Sequence, residues 1–238
     1  MRIALVGYGK MGKAIEQIAL NRGHEISYKI SSANKDDINK ITPDNTDAVI
    51  EFTVPESAVA NITTLLNNKV PVVCGTTGWL DKLPEIEDLT KAKETAFFYA
   101  SNFSVGVNIF FKLNKMLANI MNNYSEYDVE MEEIHHIHKL DAPSGTAITL
   151  AEGVLEHIDK KEDWKLDKAE TEQDLKIVAK RIEEVPGTHV IEYKSPIDSI
   201  EIKHTAHSRQ GFASGSVFAA EWVADKKGVF GMDDMLKL

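Results

Sequence analysis

The sequence predicts an α/β protein: a Rossmann-type doubly wound parallel sheet plus an α+β domain with an open mixed sheet. Three observations carry this. A short apolar strand at the start of the chain runs directly into Gly7-x-Gly9-x-x-Gly12. Strands and helices alternate as far as residue 102. From about residue 104 longer segments of alternating polarity take over, which is the pattern of an antiparallel or mixed sheet with one wet face.

The first region is read element by element. Ile3 to Val6 is a continuous apolar run, as expected of a strand buried on both faces. Strands are predicted at 2–6, 25–30, 47–52, 70–74 and 96–99, with helices at 10–21, 56–67 and 84–93. That alternation gives a parallel sheet. In the second region a helix is predicted at 105–122, then strands at Asp128 to Leu140, Gly187 to Lys194, Ser199 to His207 and Ser214 to Val223. Apolar residues at 147, 150, 151, 154, 155 and 158 recur at helical spacing. The charged stretch 159–174 reads as a surface excursion.

Composition excludes several classes. The chain has 238 residues, 43% of them hydrophobic, enough for a substantial core. A net charge of −10 argues against nucleic acid as a partner, because phosphate backbones select basic surfaces. No apolar run is long enough to span a membrane, and Gly7 interrupts the only N-terminal one, so neither a membrane segment nor a signal peptide is expected. Cys74 is the sole cysteine, which fits a cytoplasmic protein and reads as a small core residue.

The glycine loop points to a dinucleotide. It follows a strand, opens a helix and sits inside a βαβ unit, the context in which this spacing is informative. Gly7, Tyr8, Gly9, Lys10, Met11 and Gly12 are the expected phosphate-side residues. After the second strand come Lys29-Ile30-Ser31-Ser32, with no acid before Asp36. Lys10 and Lys29 lean towards a 2′-phosphate, so NADPH is expected to serve at least as well as NADH. Loops at Phe52-Thr53-Val54-Pro55, Gly75-Thr76-Thr77-Gly78 and Ala100-Ser101-Asn102-Phe103 follow strands and are expected to line the nicotinamide end.

The second cluster is Glu132-Glu133-Ile134-His135-His136-Ile137-His138-Lys139-Leu140-Asp141-Ala142-Pro143-Ser144-Gly145-Thr146. Histidine exchanges protons near neutral pH. If the strand continued to Leu140, His135 and Lys139 would share one face, and His136 and His138 the other. That separates the imidazoles, weakens a metal-site reading and leaves an acid–base pair. Solvated strand residues without a role are the bland alternative. Ser144, Gly145 and Thr146 stand where a helix begins, so their N–H groups would attract an anion. Together these features point to an enzyme for a small acidic substrate.

The chain resembles the dihydrodipicolinate reductase (4-hydroxy-tetrahydrodipicolinate reductase) family of lysine and diaminopimelate synthesis. The resemblance runs end to end. It rests on the glycine loop with Met11-Gly12, Glu51-Phe52-Thr53, Gly75-Thr76-Thr77-Gly78, Ser101-Asn102-Phe103-Ser104-Val105-Gly106-Val107, the His135-His136-x-His138-Lys139-x-Asp141-Ala142-Pro143-Ser144-Gly145-Thr146 run, and Ser208-Arg209-x-x-Phe212-Ala213-x-Gly215. The histidine run is the most specific of these. The resemblance implies that His135 is the acid–base residue and Lys139 a proton donor, with His136, Gly145 and Thr146 on the substrate carboxylates. It implies NADPH or NADH at Gly75, Thr76, Thr77, Ala100, Ser101, Asn102 and Phe103, with Arg209 and Phe212 reaching back to it. It also implies a dinucleotide-binding domain of residues 1–103 and 209–238, a substrate-binding and oligomerisation domain of residues 104–208, and a homotetramer. Three departures stand out: a glycine loop one residue shorter than common in the family, Ser31-Ser32 where some relatives carry Glu-Arg, and Ile137 where many carry Arg.

Two other classes are compatible with parts of this pattern. One is another two-domain dehydrogenase of a small carboxylated substrate; an aspartate-semialdehyde enzyme would need a second-domain cysteine, which is missing. The other is a non-catalytic NADP-binding sensor. The intact His135, Lys139 and Ser144-Gly145-Thr146 set argues against a sensor, since clustered polar groups are costly to keep without use.

Overall fold

The computed structural model describes residues 1–208 and 210–238. Arg209, expected near the cofactor, lies outside the described residues. In chain order come β1 (Arg2–Val6), α1 (Lys10–Asn21), β2 (Glu25–Ile30), β3 (Ala48–Glu51), α2 (Pro55–Asn67), β4 (Val72–Cys74), α3 (Leu83–Lys93) and β5 (Ala96–Tyr99). Then follow α4 (Val105–Met121), β6 (Asp128–His135), α5 (Gly145–Leu155), β7 (Asp163–Leu166), β8 (Asp174–Arg181), β9 (Gly187–Lys194) and β10 (Ser199–Ala206). Last are α6 (Gln210–Val223), β11 (Gly228–Phe230) and α7 (Met232–Leu236). Two compact units result. One comprises Met1–Val105 and Gln210–Leu238, and the segment between them forms the other.

The first unit is built on a six-stranded sheet in the order β11-β5-β4-β3-β1-β2, with every pairing parallel. Its central strands are apolar on both faces because both are covered. Ile3 and Leu5 face a core that includes Ala19 of α1 and Val217 and Ala220 of α6. The alternate residues, Ala4 and Val6, face Ile62 and Leu65 of α2 and Ile86 of α3. The chain order reverses at β1, with β2 on one side and β3 on the other. Such a reversal opens a crevice beyond the carboxyl ends of the strands.

One expected strand is wrong. Ser214 to Val223 lies in helix α6. Its buried residues Ala213, Ser216, Val217, Ala220 and Val223 fall at helical spacing. They are mostly small because the helix packs close on its surroundings: a Cβ on Gly215 would sit 1.7 Å from the carbonyl oxygen of Phe103 in the loop after β5. Small residues give little amphipathic contrast, so the sequence pattern hides the helix.

The second unit holds a five-stranded mixed sheet, β10-β9-β6-β8-β7. β6 pairs parallel with β8 and antiparallel with β9. Phe110 and Ala118 of α4 and Leu150 and Val154 of α5 pack on one face against Val129, Met131, Ile177 and Ile191. The strand expected to reach Leu140 ends at His135; beyond it Lys139 N–H bonds back to the His136 carbonyl at 3.1 Å in a turn. The stretch 159–174, expected as an excursion, contributes edge strand β7, which pairs with β8. Among the described residues no helix is long and apolar enough to cross a membrane.

Candidate active site

In the first unit, the loop after β1 is shaped by contacts only glycine permits. Gly7 has φ +98, and a Cβ there would lie 1.8 Å from the Phe52 carbonyl oxygen. A Cβ on Gly12 would meet the Gly7 carbonyl oxygen at 2.6 Å. By contrast, a Cβ on Gly9 would meet nothing within 4 Å, so its bareness leaves open space for a ligand. Helix α1 starts here with no side-chain cap and no acid in its first turn. Its first N–H groups and positive dipole end are therefore available to an anion, and the loop fits the pyrophosphate of a dinucleotide.

Nearby, Met11, Thr53, Gly75, Thr76 and Thr77 line one groove of about 260 Å³ with Phe52 and Pro55. Five of the expected cofactor residues are thus brought together. A fully buried carboxylate, Glu51, holds the two threonine loops in place. It accepts from Thr76 Oγ1 at 2.8 Å and from the Thr53 hydroxyl, while Thr76 Oγ1 accepts from Thr53 N–H at 2.7 Å. Cys74 is buried, its Sγ 3.2 Å from Glu51, and burial pushes its thiol well above the ordinary value.

Other expected cofactor residues are placed differently. Phe103 is 1% exposed and packs against Phe52 and Phe98, so its side chain serves the core and only its backbone is left to meet a ligand. Ala100 is buried, Ser101 exposed, and Asn102 Oδ1 accepts the Ser104 N–H at 2.9 Å. Phe212 sits partly buried in the first turn of α6. Ser31 caps the short 3-10 turn Ser32–Lys40, accepting from Ala33 N–H at 3.3 Å. Lys29, expected as a free cation for a 2′-phosphate, is 2.5 Å from Glu16, which also accepts the Tyr8 hydroxyl.

In the second unit, β6 buries one face: Val129, Met131, Glu133 and His135. Glu133 is fully buried and is the centre of the polar cluster. Its Oε2 accepts Ser144 N–H at 3.0 Å and its Oε1 faces Arg181 at 3.1 Å. His135 Nδ1 stands 3.4 Å from Oε2, and His189 Nε2 stands 3.8 Å from it. These partners arrive by strand register: Glu133 pairs across with His189 of β9, and His135 with Arg181 of β8. Burial is the main cause that lowers the His135 pKa; Glu133 opposes it, while Lys139 and Arg181 reinforce it. His189 is pushed down to about 4 by burial and then by His135.

Ser144 caps α5, its Oγ accepting Ala147 N–H at 3.2 Å and touching His189 Nε2 at 3.2 Å. A Cβ on Gly145 would meet nothing within 4 Å, and Thr146 is partly exposed, so the helix start is open to a ligand. Lys139 does not share the strand face of His135, as expected from a longer strand. It lies past the turn, with its ammonium held between both carboxylate oxygens of Asp141 at 2.7 and 2.8 Å. His136 forms the turn itself, and His138 lies 3.7 Å from Glu184 at the surface. Glu133, His135 and His189 offer ligand atoms within 4.8 Å of one another, but the Glu133 carboxylate already takes an arginine and a backbone N–H, which disfavours a cation there.

Comparison with known proteins decides the family. The profile described as dihydrodipicolinate reductase, N-terminus, matches residues 1–103, and that for its C-terminus matches residues 106–236. The chain belongs to the dihydrodipicolinate reductase family. It is 52% identical to 4-hydroxy-tetrahydrodipicolinate reductase of Christiangramia forsetii over 99% of this chain and 98% of that one. It is 34% identical to the enzyme of the same name from Lawsonia intracellularis over 94% of both chains. Its fold matches a dipicolinate-bound dihydrodipicolinate reductase from a Paenisporosarcina species with a TM-score of 0.83, 23% identity and 98% coverage of each chain.

As a dihydrodipicolinate reductase family member, the chain is an oxidoreductase with a nucleotide-binding N-terminal part that takes NADH or NADPH. The sequence pattern marks the histidine run but gives no role to Glu133, Arg181, His189, Glu51 or Glu16. Only Glu133 carried a usable signal, a carboxylate two residues before His135 and so on the same strand face.

Proposed function

We propose that this chain reduces 4-hydroxy-tetrahydrodipicolinate to tetrahydrodipicolinate with NADPH or NADH, in lysine and diaminopimelate synthesis. The observation that carries the reading is the folded histidine run: one buried carboxylate, Glu133, links His135 to the start of α5. A proton-transfer residue and an anion-binding helix start are thereby built into one cluster.

When bound, the dihydronicotinamide supplies the hydride. The chain's own groups do the rest. Gly145 and Thr146 offer backbone N–H groups to one substrate carboxylate, with Lys139 as the matching cation and His136 as a second polar contact implied by the family. His135 delivers a proton to the atom that becomes negative as hydride arrives, a contribution of about 10²–10⁴-fold in rate. Lys139 is at present paired with Asp141, so an incoming carboxylate must take over that ammonium. Gly7 to Gly12 hold the pyrophosphate, and Thr53, Gly75, Thr76 and Thr77, with the backbone at Ala100 to Phe103, border the nicotinamide.

The unit of residues 106–209 is read as the substrate-binding and oligomerisation part. Helices α4 and α5 pack on one face of its mixed sheet; the other face carries cross-strand charge pairs, Glu130 with Lys176 and Glu132 with Lys180. The homotetramer is what the family resemblance implies, and the lone buried cysteine supports a cytoplasmic setting. The test is a turnover assay following NAD(P)H absorbance with freshly made substrate. Absence of turnover with either cofactor would overturn the reading.

A further inference from the structure

We propose that Glu133 is the positioning residue for His135: its carboxylate holds the imidazole with Nδ1 inward and Nε2 as the proton-transferring nitrogen, and ties that imidazole to the start of α5. The inference rests on the proton-transfer role given to His135 above.

Glu133 is fully buried, and a buried carboxylate is sustained only by partners. Its partners divide its two oxygens. Oε1 faces Arg181, whose guanidinium also donates to the carbonyl oxygens of Lys139 and Asp141, so the loop that carries Lys139 is fixed from the same centre. Oε2 accepts the Ser144 N–H and faces Nδ1 of His135 at 3.4 Å. That Nδ1 is buried and has no hydrogen-bond partner among the described residues. A contact of 3.4 Å is too long for a good N–H···O bond, yet it is the separation from which catalytic hydrogen bonds tighten when substrate is bound. The opposite nitrogen, Nε2, lies beside Gly187, where a Cβ would crowd it at 3.1 Å and glycine's bare backbone does not.

The proton inventory follows. The imidazolium of His135 gives its Nε2 proton to the substrate atom that has received hydride. The ring stays protonated at Nδ1, facing Glu133, which remains a carboxylate throughout. Glu133 thereby opposes the burial, the Lys139 ammonium and the Arg181 guanidinium, all of which disfavour the imidazolium. Asp141, across the loop, acts in the same direction as Glu133 but is paired with Lys139. His189, the remaining titratable group against the ring, is held neutral and adds no fixed charge.

The test uses the full-length protein with ¹⁵N-labelled histidine. In the unmodified protein the neutral form of His135 is expected to carry its proton on Nδ1; a proton on Nε2 would overturn the proposal, and this needs no variant. In Glu133→Gln, which keeps the shape and can still accept the Ser144 N–H, the His135 titration is expected to move to lower pH and kcat to fall about tenfold or more, with KM for NADPH unchanged. Glu133→Asp, which restores the charge at a longer reach, is expected to recover part of kcat. An unmoved His135 titration with full kcat in Glu133→Gln would overturn the role of Glu133 while leaving His135 as acid. Full activity in His135→Ala would instead remove the reading on which the proposal stands.

Discussion

Gly7 and Phe52 approach so closely that a methyl group does not fit between them: a Cβ on Gly7 would lie 1.8 Å from the Phe52 carbonyl oxygen. This contact joins the loop after β1 to the loop after β3, across the point where the strand order reverses. With φ at +98, Gly7 is also in a region that L side chains avoid. Gly7→Ala is expected to cost about 2 kcal/mol or more of stability and to abolish nucleotide binding. Thermal unfolding and NADPH fluorescence titration check both halves. A stable variant that still binds NADPH would show that the two loops can separate at little cost.

His135→Ala is expected to lower kcat by about 10²–10³-fold while raising KM for the dicarboxylate far less. Steady-state kinetics at saturating cofactor provide the check. Undiminished kcat would remove His135 from the chemistry.

Lys139→Met keeps the stem and removes the charge. Substrate binding and turnover are both expected to weaken, with NADPH affinity near normal because the nucleotide loops belong to the other compact unit. If NADPH affinity collapses while substrate kinetics survive, Lys139 belongs with the nucleotide.

Lys29 was expected to favour a 2′-phosphate, but Glu16 neutralises it at 2.5 Å. Glu16→Ala is expected to free that ammonium and raise the NADPH over NADH ratio of kcat/KM by about fivefold. An unchanged ratio would show that Lys29 does not reach the 2′ position.

His189 links the site to acid stability. Unfolded, it titrates near its ordinary 6.5; folded, burial holds it down at about 4. Below the unfolded value the unfolded chain binds the extra proton, so stability is full above about 6.5 and is lost as pH falls towards 4, by roughly 3 kcal/mol. His189→Asn removes this titration, and urea unfolding of the variant is expected to show a flatter profile between pH 4 and 6.5. An identical profile would place the acid sensitivity elsewhere.

How much of this was legible in the sequence depended on where each signal came from. The parallel strands were legible because burial on both faces makes them apolar runs, as in Ile3–Val6. The start of α5 was legible because Ser144 and the spacing of Ala147, Leu150, Ala151 and Val154 are local features. Helix α6 was misread because its sheet-facing residues are small. The strand through His135 was drawn too long because a turn beginning at His136 has no glycine or proline to mark it. Arg181 and His189 joined the site only through strand pairing with His135 and Glu133, a relation between distant segments that local patterns do not carry.

The parallel pairing of Gly228–Phe230 with Ala96–Phe98 has a consequence for how the chain is made. A ribosome delivers the first five strands of that sheet early, yet the edge at β5 stays bare, and the face packed by α6 stays uncovered, until the final thirty or so residues emerge. The second unit is contiguous in sequence and is finished before that moment. Biosynthesis therefore passes through a stage in which one unit has its whole chain available while the other waits with an open edge, the condition under which strands pair with the wrong neighbour. A chain stalled before Gly228 therefore presents β5 as an unpaired edge open to a strand from another molecule.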